Sequence, residues 1–316
     1  MTADRPKDVP LPPHPRDRRE PLPGHRPKPA EEDANALLRV QAIRNSPTYR
    51  LAEHDPEFLT RREGRGPRLQ LEYLKPDTIL AEERIDNTIV VYGSTRICEP
   101  AAARRNVEAL RAAAAEDPGN AERLARLAVA ERILANSRYY DVAREFGRLI
   151  GSMRTDTKLP KVVVMTGGGP GLMEAANRGA FDAGAKSVGL NIELAHEQFP
   201  NPYVTPDLCF RFHYFALRKL HLLLRTKALV AFPGGYGTFD ELFEVLTLIQ
   251  TRKITPMPVV LVGEHFWRRA VDFDYLVEEG VIDVEDRELF WFAETAQEIW
   301  DGIVRWYAAF GEPAPA

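Results

Sequence analysis

Thr238 and Glu241 stand three positions apart and directly follow the run Pro233-Gly234-Gly235-Tyr236-Gly237. On a helix that spacing stacks a hydroxyl and a carboxylate one turn apart on one flank. Phe239, Leu242, Phe243, Leu246 and Ile249 recur beside them at helical spacing and supply a core-facing stripe. Glycines ahead of a helix let backbone N–H groups approach an anion, and the helix N-terminus adds its positive dipole. The run therefore offers an anion cradle with a carboxylate above it. Such a carboxylate can stabilise developing positive charge, or orient and deprotonate a water. Acids in a first turn also answer the helix dipole, which is the reading for Asp240 and Glu244 and an equal claim on Glu241.

The preceding segment, YFALRKLHLLLRT at 214–226, adds a second charged group. Phe215, Leu217, Leu220, Leu222, Leu223 and Leu224 make this helix apolar around most of its circumference, which predicts that it is largely buried. Tyr214, Arg218, His221 and Arg225 form one polar stripe along it. A guanidinium on a buried helix needs an anionic partner, either a structural carboxylate, a bound phosphate, or both. Arg225 can answer the C-terminal dipole, and His221 reads as an interior or interface histidine rather than a catalyst. Arg218, in mid-helix, has no such explanation. Arg218 and Glu241 are the candidate chemical pair.

Two further glycine turns occur, Gly93-Ser94 and Gly167-Gly168-Gly169-Pro170-Gly171. Each follows a short β-branched run, NTIVVY at 87–92 and KVVVMT at 161–166, as the third turn follows ALVAF at 228–232. Strand C-terminal ends form the ligand crevice of a doubly wound sheet, so turns of this kind point together to a phosphate-bearing ligand. The pattern is not that of a dinucleotide site, since GxGxxG fails at Leu172, and no Gly-Lys-Ser/Thr of a Walker loop occurs. A nucleoside monophosphate or a sugar phosphate fits better than NAD or ATP.

These residues need elements to hold them, and the chain supplies an alternation. Helical sequence runs over 101–153 with a break at Asp117-Pro118-Gly119, followed by a helix at 169–185 and a strand at 187–194. A further strand falls at 208–213, then the helix at 214–226, the third turn with its helix at 238–250, and a strand at 258–263. Helices near 267–280 and 291–309 close the chain. Such alternation predicts an α/β protein, a Rossmann-like doubly wound parallel sheet with helices on both faces.

Residues 1–33 are rich in Pro, Arg, Asp and Glu and nearly free of large apolar side chains, which predicts a solvated tail. Residues 34–85 read as an N-terminal helical arm, and 86–316 as the nucleotide-binding catalytic domain. A net charge of −4 over 316 residues gives no reason to expect nucleic acid or an acidic membrane as partner. No apolar run approaches a membrane span and the N-terminus has no apolar signal core, so the cytoplasm is the expected compartment. The two cysteines, Cys98 and Cys209, form no framework, and no Cys/His spacing suggests a metal site.

FPGGYGTFDE at 232–241, with the Arg218-Lys219 pair on the preceding helix, resembles the Lonely Guy (LOG) family of cytokinin riboside 5′-monophosphate phosphoribohydrolases, long mislabelled lysine decarboxylases. Every fixed position of their PGGxGTxxE pattern is present: Pro233, Gly234, Gly235, Gly237, Thr238 and Glu241. GGGPGLMEAANRGA at 167–180 and YGSTR at 92–96 resemble their other two turns, and the resemblance spans roughly 86–265. It implies hydrolysis of the N-glycosidic bond of a nucleoside 5′-monophosphate, AMP or an N6-modified AMP, to free base and ribose 5-phosphate. It implies Arg218 and Glu241 as catalytic residues. Gly93, Ser94, Gly168, Gly169, Lys219, Gly234, Gly235, Tyr236, Gly237 and Thr238 become substrate or phosphate contacts. No cofactor or metal is called for, and a homodimer or higher homo-oligomer is expected. The long N-terminal extension, the helical insert near 101–135 and the stretch at 191–208 depart from short LOG proteins and leave base preference and assembly open. The competing reading is a non-catalytic nucleotide or cofactor carrier of similar fold, for which an Arg/Glu pair would have no use. A pyridoxal-phosphate decarboxylase would need more than the single available Lys219.

Overall fold

The computed structural model describes residues 14–22, 24, 26–153, 162–195 and 199–310, so part of the tail expected at 1–33, residues 1–13, 23 and 25, lies outside the described residues. The chain divides into two compact units, Met1–Arg68 and Leu69–Ala316. The first holds α1 (Ala36–Asn45) and α2 (Pro56–Thr60), the latter opened by Asp55, whose carboxylate accepts from Phe58 N at 3.1 Å.

Helix α3 (Arg65–Glu82) leads into the second unit and to β1 (Asn87–Tyr92). α4 (Pro100–Glu116), α5 (Ala121–Asn136) and α6 (Arg138–Ser152) follow. The break expected at 117–119 is real: α5 restarts at Asn120, whose side chain accepts from Arg123 N at 3.1 Å. Next come β2 (Val162–Thr166), α7 (Leu172–Asp182), β3 (Ser187–Ile192) and β4 (Cys209–Phe212). The last part runs through α8 (Phe215–Leu224), β5 (Thr226–Ala231), α9 (Tyr236–Gln250), β6 (Val259–Val262), α10 (Glu264–Ala270), α11 (Phe273–Glu278), β7 (Trp291–Ala293) and α12 (Ala296–Phe310).

The seven strands form one parallel sheet in the order β4-β3-β2-β1-β5-β6-β7. Alternate residues of each strand feed opposite cores, as a sheet covered on both faces requires. Ile89 and Val91 pack with Phe146 of α6, Leu172 of α7 and Ile303 of α12. Val90 and Tyr92 pack with Leu80 of α3, Leu222 of α8, Leu242 of α9 and Trp267 of α10. The expected doubly wound α/β fold is what the chain adopts. The strand order turns outward from β1 in both directions, so the switch point lies between β1 and β5.

Several expectations change. The segment expected as one helix over 291–309 opens with a three-residue strand, β7, before α12 begins. Trp291, Phe292 and Ala293 are too few to break the helical apolar period that follows them. The helix expected near 267–280 is two, α10 and α11, parted around Val271 and Asp272. α8, expected to be largely buried, buries only Arg218, His221 and Leu222, and Phe215, Leu220 and Leu224 stand 53%, 40% and 45% exposed. Its apolar residues cover more of the circumference than the sheet can use.

α3 braces α8 at both ends. Glu72 accepts from the backbone N–H groups of His213 (2.7 Å) and Tyr214 (3.1 Å), at the N-terminus of α8. Asp77 accepts from Arg225 at 2.7 Å at its C-terminus, so Arg225 serves this bridge as well as the dipole. Between them His221, 1% exposed, sits against the rings of Tyr73 and Phe212 with centroids 5.3 and 5.6 Å away. Neither of its ring nitrogens has a hydrogen-bond partner among the described residues. Burial lowers its pKa, with Asp77 drawing it up and Arg225 down. The folded chain thus binds fewer protons here than the unfolded chain, and this site's stability contribution is lost as pH falls from about 6.5 through the folded value. His221→Phe should therefore gain thermal stability relative to the parent on going from pH 7.5 to 5.5. A difference in Tm that does not change with pH would refute this account of His221.

Candidate active site

The three glycine turns meet, as their spacing predicts, at the carboxyl edge of the sheet. Ser94 ties them together: its N–H donates to Pro233 O at 3.0 Å, and its carbonyl accepts from Leu172 N at 3.1 Å. Gly171 allows that approach, with φ at +76° and no room for a Cβ, which would lie 2.3 Å from Ser94 O. The second turn is held from below. Gly168 N donates to Thr166 Oγ1 at 2.9 Å, Thr166 donates to Asn177 Oδ1 at 2.7 Å, and Asn201 Nδ2 donates to Gly169 O at 3.1 Å. Gly168, at φ +69°, faces Asn191 Oδ1, which a Cβ would meet at 2.2 Å. In the third turn the Thr238 side chain folds over Gly234, where a Cβ would lie 2.1 Å from Thr238 Oγ1.

Between the turns lies a cleft of about 650 Å³, a size suited to a small-molecule ligand. α9 begins at Tyr236, two residues earlier than its sequence pattern suggested, so its first N–H groups open onto this space with no side-chain cap.

Arg218 and Glu241 face each other across the floor of the cleft, Nη1 to Oε1 at 3.5 Å. Arg218 is pinned. Its Nε donates to Leu190 O at 2.7 Å, and Gly167 leaves space for the guanidinium where a Cβ would come within 2.3 Å of Nη2. Both side chains are nearly closed off from solvent, 10% and 11% exposed. Burial pushes the Glu241 carboxyl up to about 7, against the pull of Arg218, which lowers it. Desolvation outweighs the neighbouring cation because the pair is close but not in tight contact. Tyr92 is buried within electrostatic reach of Glu241, its hydroxyl raised well above the usual range by burial and then by the Glu241 charge, so it stays neutral.

Gly93, Ser94, Gly169, Gly234, Gly235, Tyr236, Gly237 and Thr238 line the cleft with Arg218 and Glu241. Gly168 stands behind its turn instead. Lys219 is turned to the outer side of α9, with its ammonium 3.2 Å from both Asp240 and Glu244, and does not line the cleft. Those two acids thereby have a partner besides the helix dipole. Sequence reasoning missed Arg96, Asn136, Asn191 and Phe215, which also line the cleft. Arg96 was within reach, a cation two residues beyond the first Gly-Ser turn. Asn136 is the last residue of α5 and carries no motif that could have marked it. Among the described residues no group of three or more His, Cys, Asp and Glu side chains is placed to hold a metal ion. No helix among them is long and apolar enough to cross a membrane.

A family model described as "Possible lysine decarboxylase" matches residues 173–303. The chain is 32% identical over 171 residues to the cytokinin riboside 5′-monophosphate phosphoribohydrolase LOG3 of Arabidopsis thaliana, covering 52% of this chain and 73% of that protein. It is 31% identical over 150 residues to the probable cytokinin riboside 5′-monophosphate phosphoribohydrolase LOGL3 of Oryza sativa subsp. japonica, covering 45% of this chain and 67% of the relative. The solved structure of TM1055 is 21% identical and aligns over 69% of this chain and 99% of its own with a TM-score of 0.42, too distant a likeness to bear on chemistry.

Proposed function

This chain belongs to the LOG family, and on that premise we propose that it hydrolyses the N-glycosidic bond of a nucleoside 5′-monophosphate, AMP or an N6-modified AMP, releasing free base and ribose 5-phosphate. The observation that carries the reading is the enclosed Arg218–Glu241 pair on the floor of a cleft walled by three glycine turns.

Breaking an N-glycoside builds positive charge on the ribose in an oxocarbenium-like transition state. In its ionised form Glu241 stabilises that charge and orients or deprotonates the attacking water. Arg218 draws the carboxyl toward the ionised form and fixes its place, while its own position is set by Leu190 O. The α9 N-terminus with Thr238 anchors the phosphate, so binding energy remote from the bond holds the sugar over Glu241. Every residue lining the cleft falls between Gly93 and Phe266, within the segment 86–316 read as the catalytic domain, while Glu72 and Asp77 of α3, ahead of that segment, brace the helix that carries Arg218. A homodimer or higher homo-oligomer in the cytoplasm fits this reading.

Incubation with AMP should release adenine, and adenosine should be cleaved far more slowly because it lacks the group that positions the ribose. Thr238→Ala should mainly raise KM for AMP and leave kcat close to the parent's, as expected of a contact made in ground and transition states alike. Equal turnover of adenosine and AMP would remove the phosphate role of this turn. Saturable AMP binding with no adenine released would move the chain to the carrier reading.

A further inference from the structure

A phosphate monoester carries a charge of about −1.5 to −2 near neutral pH, and the cleft must meet it. Among the described residues that line the cleft, only Arg96, Arg218 and Glu241 carry charge. Arg218 is committed to Glu241 and to Leu190 O, and its guanidinium is hemmed in by Gly167. Lys219 is held outside by Asp240 and Glu244. Helix N–H groups and a threonine hydroxyl orient an anion but bring only the partial charge of the dipole. A full positive charge is still wanting, and one guanidinium is free to supply it.

Arg96 is exposed, and its guanidinium makes no ion pair or hydrogen bond among the described residues. Its backbone, by contrast, is fixed. Arg96 N donates to Ser94 Oγ at 3.0 Å, and Ser94 is tied to Pro233 of the third turn and Leu172 beyond the second. The residue is therefore anchored beside the uncapped start of α9 with its charged end unspent. A guanidinium matches phosphate oxygens with paired N–H donors, a geometry an ammonium cannot reproduce.

We propose that Arg96 is the counter-charge for the substrate's 5′-phosphate, closing from the first turn a site whose other wall is the N-terminus of α9. Arg96 then sets the preference for a phosphorylated over an unphosphorylated nucleoside, while Arg218 serves Glu241. The inference rests on the reading of the cleft as a nucleoside monophosphate site, and a binding measurement separates the two.

The full-length protein is titrated with ribose 5-phosphate by calorimetry, as wild type, Arg96→Ala, Arg96→Gln and Arg96→Lys. The ratio of kcat/KM for AMP to that for adenosine is measured on the same proteins, with Tm as a folding control. Arg96→Ala and Arg96→Gln should each weaken ribose 5-phosphate binding by about 10- to 100-fold, the usual worth of a hydrogen-bonded charge pair. The AMP-to-adenosine ratio should fall by a similar factor, and Arg96→Lys should recover part of both. Ribose 5-phosphate affinity within about twofold of wild type in a folded Arg96→Ala protein overturns the assignment, since that margin is under the worth of one ordinary hydrogen bond. So does a wild-type protein that does not bind ribose 5-phosphate. If no nucleotide is hydrolysed but the titration depends on Arg96, the proposed reaction fails and the phosphate contact stands.

Discussion

Glu241→Gln should keep nucleotide binding and lose about a hundredfold or more in kcat, the usual cost of removing one group aimed at transition-state charge. The substitution keeps the shape of the side chain and its place one turn into α9, and removes only the ability to carry negative charge. Charge matters here more than at a solvated site, because a side chain 11% exposed stands in a medium where electrostatic terms are little screened. A purely structural acid would behave otherwise. Its loss would lower Tm and leave the surviving folded protein with normal turnover. Measuring kcat, KM and Tm on one preparation separates the cases, and a folded Glu241→Gln enzyme with wild-type kcat would take Glu241 out of the chemistry.

The second large effect lies in pH. Burial holds the Glu241 carboxyl up at about 7, so the active ionised form is gained as pH rises through that value. kcat/KM should therefore climb on its acid side with an apparent pKa near 7. Arg218 lowers this pKa, so Arg218→Ala should move the acid limb to higher pH as well as depress activity at pH 7, and part of the lost activity should return in alkaline buffer. The same variant leaves Leu190 O without its donor, at a cost of about 1–3 kcal/mol for a buried unsatisfied carbonyl. Arg218→Lys, which keeps the charge, should retain a limb closer to the parent's even if it is less stable. Identical acid limbs in all three proteins, each shown to be folded, would mean that Arg218 does not act through Glu241.

Much of this site could be read from the chain because its parts are local. Pro233 to Glu241 bring turn, hydroxyl and carboxylate within one segment, and Gly93-Ser94 and Gly167–Gly171 each mark the end of a buried strand. Arg218 was legible by exclusion, as a mid-helix charge among leucines. What stayed hidden depends on tertiary geometry. Sequence places Lys219 next to Arg218, but a single step along a helix rotates it about 100°, which here turns the ammonium away from the cleft. Asn136 and Asn191 come to the cleft from the end of α5 and from β3, with no spacing rule linking them to the turns. The raised pKa of Glu241 was illegible for the same reason, since a partner can be guessed from sequence but the depth of burial cannot. β7 escaped because three residues cannot display a period.

The grip of α3 on α8 has a consequence for where this enzyme can be cut. The similarity to the LOG relatives covers about half of this chain, and the family model begins only at residue 173. Yet Glu72 and Asp77, which close the two ends of the helix carrying Arg218, lie before β1. A chain trimmed to the part its relatives make familiar would leave the start of α8 uncapped, a loss of about 1 kcal/mol for such a cap, and Arg225 without its carboxylate. The minimal working unit is thus longer at its front end than kinship suggests. A graft, fusion or circular permutant has to carry α3 along with the sheet.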